Sequence, residues 1–81
     1  MSTKFVGASS LQTSVANAEI NTSGKKLINV SIQTDQNCIM LVNGSSEGIF
    51  VRANQIFVID VCDSLKITTS GITFNWVGKE F

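Results

Sequence analysis

The sequence contains no histidine, no proline and no tyrosine, only two cysteines, and charges on just 15% of its residues, six cationic and six anionic. Without histidine the usual general base at neutral pH and the commonest metal ligand are missing, so no Ser-His-Asp or Cys-His arrangement is possible within the chain. Six scattered cations do not make the footprint that neutralises nucleic-acid phosphates, nor one that holds an anionic membrane surface. No apolar run approaches the length that crosses a bilayer, and the opening MSTKFVGASS has no apolar segment of a secretory signal. Two cysteines allow at most one bridge, too few for a disulfide framework. Neither nucleic acid nor membrane is therefore expected as a partner.

What is present is uncharged polarity on a β-branched background. Ser, Thr, Asn and Gln make up 28 of the 81 residues, and nine Ile and eight Val outnumber four Leu. Branched side chains lose χ1 freedom in a helix and pack well on a pleated surface. A chain of 8.7 kDa buries only roughly 60% of its unfolded surface, which limits it to one domain with a thin core.

Residues 1–24 read as a polar N-terminal arm or edge segment, ahead of a β core over 25–81. Leu11, Val15 and Ala18, spaced by four and three, fit one face of a short helix; a polar arm carrying one or two edge strands fits as well. From Lys25 onward the period is two. Strands are expected near 26–34, 37–43, 48–52, 56–62, 65–69 and 72–77, between turns rich in Gly, Asn and Asp. Ile28, Val30 and Ile32 are expected on one face; so are Phe57, Ile59 and Val61, with Val58, Asp60 and Cys62 opposite. Six strands in this space, with turns every 8–12 residues, predict an all-β fold: a small antiparallel sandwich or partly closed barrel of six to eight short strands. Phe57, Ile59, Phe74 and Trp76 are the expected core, with Trp76 beside Phe57 or Phe74.

Few residues offer chemistry. Asp60 and Asp63 could pair as carboxylates, but acid–base work needs one of them raised in an apolar cleft, and solvation at a strand end is the plainer role. No Asp-rich loop has calcium spacing. Cys38 and Cys62 fall in apolar strands, where buried free thiols are favoured over a bridge between adjacent strands. No catalytic residue, cofactor site or metal site is expected. The triplets at Asn21, Asn29 and Asn43 match the glycan acceptor pattern, as a sequence rich in Asn, Ser and Thr does by chance. A sugar platform built on Trp76, with Asn75 and Asn43 as donors, is the competing reading of the aromatics.

The stretch CIMLVNGSSEGIFVRANQIFVID, followed by SLKI and SGITFNWVG, resembles a small β-module of tailed-bacteriophage and prophage virion proteins over residues 37–78. The resemblance rests on Ser64, Lys66, Ile67, Gly71, Ile72, Asn75, Trp76 and Gly78. It implies a non-enzymatic accessory component of head, fibre or tail, located in the virion, oligomeric, and attached to a capsid or tail protein. The residues themselves point to self-association: Cys38 to Val42 is apolar on both faces, more than a two-layer domain of this size covers, so the uncovered side is expected to meet either the N-terminal arm, through Leu11 and Val15, or, as favoured, another subunit. Met40, Cys38, Val42 and Val58 are the expected interface; the resemblance, not the sequence pattern, implies a trimer as the favoured form. The alternative is a carbohydrate- or receptor-binding module displayed on the same particle.

Overall fold

Alternating apolar and polar residues are what a strand buried on one face requires, and the sequence folds into eight of them. The computed structural model describes residues 5–7 and 10–80. In chain order the strands are β1 (Phe5–Gly7), β2 (Gln12–Thr13), β3 (Leu27–Thr34), β4 (Cys38–Val42), β5 (Ile49–Val51), β6 (Ile56–Cys62), β7 (Leu65–Ile67) and β8 (Thr73–Glu80). All pair antiparallel in two sheets. Sheet A runs β1-β8-β3-β6, with β2 pairing a second stretch of the same β8; sheet B runs β5-β4-β7. The sheets pack as a sandwich and do not close into a barrel.

The core lies between them. Leu27, Val30, Ile32, Ile59, Cys62, Phe74 and Trp76 of sheet A meet Cys38, Met40, Val51, Leu65 and Ile67 of sheet B, with Ile20 and Ile72 completing the cluster. Phe57 packs against it half-exposed. Ile32 stands between Phe57 and Trp76 in one cross-strand row. Each sheet's buried row is the apolar half of its period-two pattern.

The pattern slips once. Between Ile28 and Ser31 the pairing of β3 with β8 shifts register, with Asn29 and Val30 against the single residue Gly78. Asn29 takes φ 52° there, a left-handed conformation that asparagine tolerates better than branched residues do. Gly78 is required opposite: a Cβ on it would lie 2.9 Å from Val30 Cγ2. The slip turns Leu27 inward and Ile28 outward, and across the ladder Cys62 is buried while Val61 is exposed. Strict alternation assigned Ile28, Val61 and Cys62 to the opposite faces, because it has no place for a bulge.

The chain ahead of β3 is built into the sandwich. No helix forms among the described residues, and Leu11 and Val15, the expected packing face, are exposed. Ser14 and Ile20 are buried instead. Ser14 gives its N–H to Ile72 O (2.8 Å) and receives Gly71 N–H (3.0 Å), while its hydroxyl donates to Thr69 O (2.6 Å) and accepts from Ile72 N (2.9 Å). Further along, Asn17 N–H donates to Ile67 O and Ile20 N–H to Leu65 O, each at 2.8 Å. The segment thus runs from the β8 edge of sheet A to the β7 edge of sheet B and seals that flank of the sandwich. The opposite flank, formed by β5 and β6, carries no further strand among the described residues.

Candidate functional site

The two flanks differ in chemistry as well as in closure. On the open side Phe50, Ile56, Val58 and Val61 are all exposed, Val58 at 55%. The band continues across the outer face of sheet A, where Val58 pairs Ser31 and Ser31 pairs Val77, and Val61 pairs Ile28. Val77 is exposed and Ile28 half-buried. On the outer face of sheet B, exposed Ile39 stands opposite Phe50, whose ring lies 5.8 Å from the Arg52 guanidinium carbon. A shallow hollow of about 200 Å³, lined by Phe50, Arg52, Gln55, Ile56 and Phe57, joins the two strands. β6 ends its sheet with no partner strand beyond it among the described residues, its edge flanked by branched apolar side chains and capped at Val61 O by the Asn43 amide. Natural sheets ordinarily cover or charge such an edge; here Asp60 supplies the strand's one charge.

The expected interface needs correction against this geometry. Met40 is wholly buried, Cys38 is buried, and Val42 is half-buried against the core. The outward residues of β4 are Ile39 and Leu41. Both faces of that strand are apolar in sequence, so periodicity had no basis for choosing between them, and the core took the Met40 side, where its cross-strand neighbour Ile67 is also buried. Nor does the arm cover β4 through Leu11 and Val15, since both point to solvent. Of the four named residues, Val58 is the exposed one. Ile56, Phe50 and Val61 belong beside it, and the signal available for them was the apolar density of GIFV and IFVIDV.

The other candidates are structural. The turn from β6 to β7 joins the sheets and is held from two sides. Asn43 Nδ2 donates to Val61 O (2.9 Å), and its Oδ1 accepts from Asp63 N (2.6 Å) and Ser64 N (3.3 Å). Asn21 Nδ2 donates to Asp63 O (3.1 Å) and Lys25 O (2.9 Å). Glu19 accepts from Leu65 N (2.7 Å), Asn21 N (3.1 Å) and the Ser64 hydroxyl. Beneath this corner lies Cys62, a free thiol pushed up to about 11, first by burial and then by the Glu19 and Asp63 carboxylates. Cys38 is also free, and burial raises it against the lowering effect of Thr34. Thiols so shifted stay protonated at neutral pH and are poor nucleophiles.

Asp60 and Asp63 are both exposed, and neither lines the cleft on the sealed flank or the hollow on the open one. Among the described residues no three His, Cys, Asp or Glu side chains converge as a metal site. The parts of the sugar platform do not meet: Trp76 is 9% exposed and faces inward, Asn75 lies on the opposite face of β8, and the Asn43 amide is committed to the corner. A cleft of about 430 Å³ opens on the sealed flank, lined in part by Gln12, Thr13, Glu19, Thr22 and Trp76. The Glu19 carboxylate there is already occupied by the corner. Comparison with protein-family models, with curated proteins and with solved structures returns no match.

Proposed function

We propose that this chain is a non-enzymatic assembly module that associates with copies of itself through the β5–β6 flank. The observation that supports this reading is the asymmetry of the sandwich: one flank is sealed by residues 12–20, and the other leaves an apolar strand edge open. A second copy fits this flank because it supplies both things the edge lacks, a partner strand and apolar cover. Charge is no obstacle, since Arg52 next to β5 and Asp60 in β6 are opposite in sign and the chain is neutral overall. Self-association also enlarges a core that is thin at this chain length. From the resemblance over residues 37–78 comes the setting: an accessory head, fibre or tail component of a phage particle, docked on a capsid or tail protein, with a closed trimer as the favoured form.

Sedimentation equilibrium of the purified chain tests self-association. A mass above the monomer is expected at tens of micromolar, and its ratio to 8.7 kDa counts the subunits. Val58→Lys, which places a charge within the exposed apolar band, is expected to return the protein to monomer without unfolding it. A natural protein that stays monomeric at hundreds of micromolar refutes the reading. The particle assignment is tested separately, by mass spectrometry of phage particles purified from the strain that encodes the chain; absence of the protein from them overturns it.

A further inference from the structure

We propose that Asn43-Gly44 is a deamidation site gated by the fold, opened when the β6–β7 corner releases the asparagine and unable to return to the native corner once converted. Of seven asparagines this one alone precedes glycine, which leaves the next backbone nitrogen unobstructed. The chemistry needs only water. Gly44 N attacks Asn43 Cγ; the new N–C bond forms as the Cγ–Nδ2 bond breaks, and ammonia leaves with the glycine N–H proton. Water then opens the cyclic imide at either carbonyl, giving aspartate or isoaspartate.

Attack requires the side-chain amide to swing over the Gly44 nitrogen, and the fold tethers it elsewhere. Asn43 and Gly44 occupy the two central positions of a tight turn, at φ 54° and 74°, closed by Ser45 N–H on Val42 O at 3.1 Å. Positive φ at both positions is the hairpin turn that Asn-Gly favours. From there the side chain reaches across to the other sheet's connection, with Nδ2 on Val61 O and Oδ1 on Asp63 N and Ser64 N. The main-chain N–H of Asn43 donates to Ser64 O at 2.7 Å. All four bonds go to residues 61–64, so the amide is freed only when the corner opens. Conversion to aspartate puts a carboxylate oxygen where Nδ2 had been, and it then faces the Val61 carbonyl with no proton between two acceptors. Isoaspartate adds a methylene to the main chain of the turn and shifts the Asn43 groups out of register with residues 61–64. Either product leaves the corner without its clamp.

The test follows conversion of the natural protein, folded and in concentrated urea, at the same mildly alkaline pH, by peptide mapping that resolves aspartate from isoaspartate. In urea Asn43 is expected to convert ahead of the other asparagines. In the folded protein it is expected to convert at least about tenfold more slowly, since exchange through local opening scales with the fraction of time spent open. Equal rates overturn the gate, and failure of Asn43 to lead in urea overturns the site. Asn43→Asp is expected to lower the urea midpoint, while Asn54→Asp, at an exposed turn, leaves it unchanged. An Asn43→Asp protein with the natural midpoint overturns the claim that the converted corner cannot re-form.

Discussion

Replacing Ser14 with alanine removes one oxygen atom and is expected to cost about 2–3 kcal/mol. That hydroxyl donates to Thr69 O at 2.6 Å and accepts from Ile72 N at 2.9 Å, in a residue only 6% exposed. The Ile72 amide belongs to a residue 2% exposed, so water cannot replace the lost acceptor. A buried donor left unpaired costs roughly 1–3 kcal/mol. The Thr69 carbonyl sits in an exposed residue and recovers part of its loss from solvent. A chain of this length has on the order of 4–12 kcal/mol of stability in all, so one hydroxyl carries a sizeable share. Urea unfolding followed by Trp76 fluorescence reads the effect: at a slope near 1 kcal/mol/M the midpoint falls by about 2–3 M with the slope unchanged. Val15→Ala, one residue on and exposed, is expected to stay within about 0.5 kcal/mol of the natural protein. A loss at Ser14 below about 0.5 kcal/mol, or a larger loss at Val15, refutes the account of how the N-terminal segment is anchored.

Two further outcomes follow from the core. Trp76→Ala empties a large buried site in the row with Ile32 and Phe57 and is expected to cost about 3–5 kcal/mol, leaving little folded monomer; circular dichroism against temperature measures it, and a loss below about 1 kcal/mol places the ring at the surface. Burial raises the Cys62 thiol from 9.0 to about 11, so the unfolded chain ionises before the folded one does. Stability is then full below about pH 9 and falls as pH rises toward about 11. Urea midpoints across that range check the sign, and Cys62→Ala is expected to flatten the slope.

The strands were legible because burial of one face imprints a period of two. Leu65 and Ile67 in β7, and Phe74 and Trp76 in β8, alternate as a half-buried sheet must, and their boundaries fall within a residue or two of expectation except where β8 runs on to Glu80. The faces were less legible. A bulge at Asn29, near the start of β3 where it pairs β8, changes which residues of β3 and of the facing end of β6 are buried, and a single left-handed residue leaves no mark in hydropathy. In β4 both faces are apolar, so only the partner strands decide that Met40 turns in and Ile39 out. Ser14 was invisible for a different reason: a serine among serines becomes an anchor through partners 55 to 58 residues away. Asn21, Asn43 and Glu19 likewise clamp the corner through tertiary bonds that no local pattern announces.

The most direct test of the open flank is backbone amide hydrogen exchange of the natural protein at low and high concentration, resolved by strand. Burial of an edge against a second copy protects the amides of that edge and leaves remote ones alone. Slower exchange with rising concentration is expected in β5 and β6, with β2, β7 and β8 on the sealed flank unchanged. Exchange in β6 that is independent of concentration, or protection gained on the sealed flank instead, would contradict the account.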